Sequence, residues 1–124
     1  MSVGYIVFAH GSSVESANEA VRTTAAEMAR RGGFEIVEAA FLEGGKPDLP
    51  EALEALAGRV SRVLVIPYFL TLGLHLQRDL PRLIEKVKSA HPGLEIEVTP
   101  PLDQHPGMVD ALLDRARESI WKRD

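Results

Sequence analysis

The chain has 124 residues, 45% of them hydrophobic and 26% charged, an ordinary globular composition with enough length for one buried core. Its net charge of −4 gives no general case for nucleic acid, and the absence of cysteine excludes disulfides, thiolate zinc sites and iron–sulfur clusters. No apolar run approaches the roughly 20 residues of a bilayer span, and no basic segment leading into an apolar stretch opens the chain. A cytoplasmic protein with no membrane partner is the expectation.

Gly4 to Ala9 is an almost unbroken apolar run rich in β-formers, as in a strand covered on both faces. It runs into His10-Gly11-Ser12-Ser13, where glycine permits a sharp turn. Ser12 with Glu15 fits a capping box at the start of a helix. Val14, Ala17, Val21, Thr24, Ala25 and Met28 recur at spacings of three and four and predict its buried face. Arg30, Arg31 and Gly32-Gly33 close that helix. Phe34 to Leu42 reads as a second strand carrying Glu35 and Glu38. Glu43-Gly44-Gly45-Lys46-Pro47-Asp48 is a loop. Pro50 suits the first turn of a short helix with Ala52, Leu53 and Leu56 inward.

Arg62 to Leu70 is again nearly continuously apolar, a third strand, and Thr71 to His75 is predicted to be a loop. Leu80, Leu83, Ile84 and Val87 form the stripe of a third helix capped by Asp79. His91-Pro92-Gly93 ends it, with His91 a surface turn residue. Leu94 to Thr99 alternates strictly, which predicts a fourth strand buried on one face. Pro100-Pro101 stops that strand. Pro106 opens a last helix with Val109, Leu112, Leu113, Ala116 and Ile120 predicted to face inward.

Strand character predicts the sheet. The doubly covered first and third strands belong in the centre, and the charged second and fourth at the edges. Right-handed crossovers then give a four-stranded parallel sheet in the order 2-1-3-4 with helices on both faces. The predicted class is a single three-layer α/β domain over residues 1–124. In such sheets ligands bind beyond the carboxyl ends of the strands, at the switch point between the first and third. His10, His75 and His105 follow the first, third and fourth strands, and Glu43 follows the second. Imidazole and carboxylate suit first-row divalent metals such as iron, cobalt, nickel or zinc. A single histidine after a strand serves equally as a cap or a packing residue, so this placement alone names no reaction.

Several phrases extend the reading. Ala9-His10-Gly11-Ser12 is followed by Phe41-Leu42-Glu43 with Pro47, and by Pro67-Tyr68-Phe69-Leu70-Thr71-Leu72-Gly73-Leu74-His75 with Arg78-Asp79-Leu80-Pro81. With Pro101-Leu102-Asp103-Gln104-His105-Pro106, they resemble the small sirohydrochlorin chelatases, the short CbiX/SirB-like branch of the class II chelatases. The likeness covers essentially the whole chain and is most specific from Pro67 to Pro81. It implies a lyase-type chelatase that inserts Co2+, Fe2+ or Ni2+ into sirohydrochlorin in cobalamin- or sirohaem-type tetrapyrrole biosynthesis, with no organic cofactor. By this resemblance His10, Glu43 and His75 are the catalytic and metal-binding residues. Contacts to the tetrapyrrole carry over to Lys46 and to Leu70, Thr71, Leu72, Gly73 and Leu74. Ala9 stands where relatives often have glycine. Ser13 stands where arginine is common, which removes one partner for a substrate carboxylate.

The chemistry fits these residue types. Two imidazoles and one carboxylate leave positions open on the ion for the incoming ring. The ring loses two N–H protons, and an imidazole can accept one at neutral pH. That role falls to His10 with Glu43 as helper, while His75 holds the metal and Lys46 or Arg78 meets peripheral carboxylates. One lobe offers half a cleft for a macrocycle, so the resemblance implies a homodimer with the metal site facing the opposite subunit. Two other readings stand beside it. One is a non-catalytic divalent-metal binding or delivery protein. The other is a phosphoryl-transfer enzyme with His10 as nucleophile, phosphate at the helix start and Arg22 as the nearest arginine. The same donors serve Co2+, Fe2+ and Ni2+, so the sequence chooses neither metal nor pathway and leaves the role of His105 open.

Overall fold

Eight elements alternate along the chain: β1 (Val3–Ala9), α1 (Glu15–Gly32), β2 (Val37–Phe41), α2 (Leu49–Ala57), β3 (Arg62–Pro67), α3 (Leu74–Ala90), β4 (Glu95–Val98) and α4 (Pro106–Arg117). They come from a computed structural model that describes residues 2–118. The four strands pair in parallel in the order β2-β1-β3-β4, the order predicted from strand character. β1 carries the core. Ile6 and Phe8 face Leu53, Leu56, Leu80 and Ile84 from α2 and α3, while Val7 and Ala9 face Ala25 of α1 beside Ala39 and Phe41. Ile6 and Phe8 are fully buried, which accounts for the lack of any polar residue from Gly4 to Ala9.

α2 follows its sequence signals closely. Asp48 and Glu51 form a reciprocal capping box, Pro50 sits in the first turn, and Ala52, Leu53 and Leu56 are buried. Several other boundaries differ from expectation. Ser12 and Glu15 make no capping box. Val14 is the N-cap of α1, the Ser12 hydroxyl accepts from the Val14 N–H at 3.0 Å, and Glu15 turns to Arg22. The inward row of α1 is Asn18, Val21, Ala25 and Met28, with Val14, Ala17 and Thr24 exposed. The surface beneath is made of Val7, Ala9, Val37, Ala39 and Phe41, and Val21, Ala25 and Met28 pack on it.

β2 begins only at Val37, because left-handed Gly33 turns the chain and Phe34 folds onto the Tyr5 ring, 4.4 Å between centroids. β3 ends at Pro67. α3 starts a turn and a half earlier than predicted, so Leu74 and His75 lie in its first turn. Asp79 and Pro81 fall inside it, and the N-cap is Gly73, which has no side chain to offer. Pro81 removes one backbone donor at a cost of roughly 3 kcal/mol. Burial of Leu76 and Leu80, about 1.5–3 kcal/mol each, offsets this.

The largest departure is α4. Its Pro106 start is as predicted, but none of its residues is buried, and Val109, Leu112, Leu113 and Ala116 are exposed instead of inward. Ile120 lies outside the described residues. α1 covers the outer sheet face over β1 and β2, and nothing among the described residues covers it over β3 and β4. Glu95 and Glu97 project from that uncovered half and border a shallow depression with Val3, Tyr5, Arg62 and Leu64. No helix among the described residues is long and apolar enough to cross a membrane.

The α2 capping box carries a pH signature. The Asp48 N–H, and then Lys46, hold the Glu51 carboxyl below its ordinary value of 4.5. A carboxylate whose pKa is depressed by folding stabilises fully above the unfolded value and loses that contribution as pH falls through the folded one. Glu51→Gln keeps an oxygen for the Asp48 N–H but removes the charge. Urea titrations at pH 7 and at pH 3 should therefore show the variant weaker at pH 7, with the gap narrowing at pH 3.

Candidate metal centre at the carboxyl edge

The hydrogen bonding between β1 and β2 continues past both strand ends. The Leu42 N–H donates to the Ala9 carbonyl at 2.9 Å and the Glu43 N–H to the His10 carbonyl at 3.0 Å. This places His10 and Glu43 side by side on adjacent loops, with His10 Nε2 3.9 Å from Glu43 Oε2. Both side chains are open to solvent, at 63% and 70% exposure. His10 Nδ1 lies 3.3 Å from the Gly11 carbonyl. When that nitrogen carries the proton, Nε2 presents its lone pair toward Glu43 and solvent. The Phe69 ring stands edge-on to the imidazole at 6.3 Å and is itself seated on Phe8 at 5.6 Å.

Two features lock the loops together. Gly11 has φ +91° and Gly44 φ +72°, and any side chain at Gly11 would collide with the Glu43 carbonyl. Asn18 is 1% exposed and spends its amide on both loops. It accepts from the Ser12 N–H at 2.9 Å and donates to the carbonyls of Ser12 at 2.8 Å and Gly44 at 3.0 Å. Sequence reasoning missed Asn18 and Phe69. The signal for Asn18 was a polar residue three positions before Val21 and seven before Ala25, in phase with the inward row.

The other predicted residues fall nearby without closing on one point. His75 is exposed in the first turn of α3. Among the described residues no three His, Asp or Glu side chains form a group able to hold one ion, so His75 does not complete a triad with His10 and Glu43. Leu70 and Leu74 are 62% and 70% exposed, Thr71 and Gly73 are exposed, and Leu72 packs half-buried against the core. This loop is tied down by the Leu102 N–H to the Phe69 carbonyl, the Asp103 N–H to the Leu70 carbonyl, and the Gln77 amide to the Leu72 carbonyl. Lys46 Nζ lies 3.3 Å from Glu51 and 4.0 Å from Asp48. It borders a cleft of about 440 Å3 with Glu15, Arg22, Glu43 and Asp48. Arg22 sits 5.3 Å over the Phe41 ring and donates to the Lys46 carbonyl.

Two histidines have structural partners. His105 caps α4, its Nδ1 accepting from the Gly107 N–H at 2.9 Å. His91, at the opposite edge, binds Glu54 at 2.6 Å and joins the end of α3 to α2. At the start of α1, the N–H groups of Ser12 and Val14 are taken by Asn18 and Ser12. A phosphate would have to displace them, and Arg22 is engaged with Glu15 and Glu19.

The fold is a parallel α/β lobe with an open imidazole–carboxylate pair at its switch point, beside an exposed apolar loop, and that pair offers donors of the kind first-row divalent metals take. Residues 4–119 match the CbiX family, and the chain belongs to it. It is 32% identical over 96 residues to a sirohydrochlorin cobaltochelatase of Methanosarcina barkeri, covering 77% of this chain and 74% of that protein. With the sirohydrochlorin cobaltochelatase of Methanococcoides burtonii it shares 30% identity over 125 residues, covering 94% and 95%. Among solved structures, a cobalamin biosynthesis CbiX protein of Marinobacter aquaeolei superposes with a TM-score of 0.81 at 29% identity, covering 94% of this chain and 95% of that one. The fold is shared too with the sirohydrochlorin chelatase SirB of Bacillus subtilis in complex with cobalt, at TM-score 0.85 and 23% identity. Against SirB the alignment covers 95% of this chain and 51% of the longer one.

The loop lock gives a direct test. Asn18→Ala strands three backbone groups and should lower the unfolding free energy by roughly 1–3 kcal/mol. Calorimetric titration with Co2+ should show weaker binding at a temperature where the variant remains folded.

Proposed function

We propose that this chain is a sirohydrochlorin chelatase, a lyase that inserts a divalent metal ion into the macrocycle as part of cobalamin- or sirohaem-type tetrapyrrole biosynthesis. The observation that carries the reading is the His10–Glu43 pair, held 3.9 Å apart at the carboxyl edge and open to solvent. The CbiX family and relatives named sirohydrochlorin cobaltochelatase support the substrate. Metal and ring are both substrates here, and no organic cofactor takes part.

His10 Nε2 and a Glu43 oxygen take the ion, and His75, which stands apart from the pair in the folded chain, supplies a third ligand only by closing on the bound ion. Such a set leaves coordination positions for water and then for pyrrole nitrogens. As the ring draws the ion away, each pyrrole N–H that becomes a metal ligand loses its proton. His10 Nε2, released from the metal, accepts one. Glu43 orients the imidazole and passes protons to water, which both exposed groups can reach. Two protons leave for each M2+ that enters, so the exchange balances.

Leu70 and Leu74 offer apolar surface to one ring face, on a loop shaped by Thr71, Leu72 and Gly73. Lys46, beside its cleft, meets peripheral carboxylates by exchanging its partner Glu51. The whole of residues 1–124 acts as one domain in the cytoplasm. It works as a homodimer with each metal site facing the other subunit. A chain that matches about half of SirB supplies one lobe of a two-lobed cleft. Co2+, Fe2+ and Ni2+ all suit the donors.

Anaerobic absorbance assays with sirohydrochlorin and each metal in turn test this reading. Wild type should accelerate metallation over the spontaneous reaction, and His10→Ala should lose roughly 10²-fold or more in kcat/KM. Glu43→Gln should lose roughly 10–100-fold, and His75→Ala should weaken the metal dependence most. Metal binding without ring binding or acceleration would make the protein a carrier instead.

A further inference from the structure

His75 is the second residue of α3, and helix geometry names the group that stands behind its ring. Asp79 follows four residues on and Arg82 three beyond that, so the three side chains share one stripe of the helix. All three are exposed, beside the inward row of Leu76, Leu80, Ile84 and Val87. Asp79 and Arg82 border a shallow depression with Leu42, Asp48 and Pro50. The stripe therefore faces the end of β2 and the loop that carries Glu43. The fold itself makes little use of Asp79. Gly73 is the N-cap of α3, and Asp79 is the sixth helical residue, past the first turn where a carboxylate helps the helix dipole. In a helix interior aspartate is a weak helix former, because its carboxyl competes for backbone groups.

We propose that Asp79 is the positioning residue for His75: its carboxylate accepts a hydrogen bond from His75 Nδ1–H and leaves Nε2 as the nitrogen that takes the ion. This role rests on His75 holding the metal in the chelatase reading above, and it deepens that reading. Side-chain direction supports it. Cα–Cβ bonds in a helix tilt toward its amino end, so Asp79 leans back onto the turn of His75, with roughly 5–6 Å between the two Cβ atoms. The imidazole leans the same way, out over the carboxyl edge. Nδ1 is the ring nitrogen nearer the backbone and hence nearer the carboxylate, and Nε2 is outermost. The two side chains are open to water and not bonded to each other, and a rotamer change brings them together. Chemistry supports the pairing as well. A ligating histidine ordinarily gives its other N–H to a carboxylate or a carbonyl, which fixes its tautomer and ring plane and strengthens the donor nitrogen. His10 has such a neighbour in the Gly11 carbonyl, 3.3 Å from its Nδ1. Asp79 supplies for His75 what Gly11 supplies for His10, and Arg82 sets a cation behind the carboxylate.

A double-mutant cycle read by calorimetric titration with Co2+ tests the coupling, because a residue that acts through His75 has nothing to act on once that ring is gone. Asp79→Ala should weaken Co2+ binding roughly 10-fold to 100-fold. In a His75→Ala protein the same change should alter binding by no more than about twofold. Asp79→Asn should recover most of the loss, since its amide oxygen still accepts from Nδ1–H. Asp79 is exposed and alanine is the better helix former, so the urea midpoint of Asp79→Ala should not fall. Equal losses in the two backgrounds, or no loss in either, would overturn the role, as would a wild type that takes up no Co2+ or a His75→Ala protein that binds it as tightly as wild type. Asparagine that recovers nothing would make Asp79 a ligand in its own right and would also overturn it. The metallation assay with sirohydrochlorin separates the two levels. Coupled binding without accelerated metallation keeps the positioning role and removes the chelatase, whereas acceleration with an additive cycle does the reverse.

Discussion

The site depends on how β1 is held. The strand is paired on both sides and covered on both faces, so its carboxyl end has almost no freedom to shift. Its hydrogen bonding to β2 runs on for two residues after the strands end, which makes His10 and Glu43 neighbours by backbone geometry. Gly11, Gly44 and Asn18 then fuse the two loops. Neither side chain needs a strong contact of its own to stay in place, and the rigidity sits one layer below them. Low solvation cost follows, because an exposed carboxylate and imidazole keep most of their water.

The parts of the fold legible in the sequence were those written by burial on a regular period. The strand order followed from which strands carried charges, since Glu38, Glu95 and Glu97 stand on exposed positions of β2 and β4. α2 was legible in detail because Asp48, Pro50 and Glu51 are local signals that need no tertiary context. α3 was less so. A glycine cap gives no side-chain signal, and Asp79 before Pro81 imitated a helix start that the burial of Leu76 moved upstream. For α1 the period was right and Val21, Ala25 and Met28 do face inward, but Val14, Ala17 and Thr24 do not, because Asn18 occupies the buried row and alanines look apolar wherever they lie. α4 read as an inward helix because its pattern is amphipathic. Periodicity reports that a face is apolar, and not what it packs against.

The candidate site was legible only in part for a related reason. His10, Glu43 and His75 could be placed at one edge from topology, and His10 and Glu43 do meet there. The distances between loops depend on contacts far apart in sequence, such as Asn18 to Gly44 and Phe69 to His10. Lys46 illustrates the limit. As a sequence letter it was a free cation near the site, while in space it belongs to a small acidic network with Asp48 and Glu51. His105 shows the converse, a histidine after a strand whose ring nitrogen serves as a helix cap.

Pro81 has a mechanical consequence. It has no N–H to donate to the Gln77 carbonyl one turn back, so α3 is joined across that point by one hydrogen bond fewer than a continuous helix. Helices bend where a rung is missing. Both sides of that point are nonetheless anchored, by Leu76 and Leu80 in the core on its amino side and by Ile84 and Val87 on its carboxyl side. The missing rung therefore lies between two fixed turns, and a tilt of the first turns would have to repack Leu76. The histidine that stands apart from the His10–Glu43 pair rides on the exposed side of the first turn, so its reach is set by its own side-chain rotamers and not by movement of the helix.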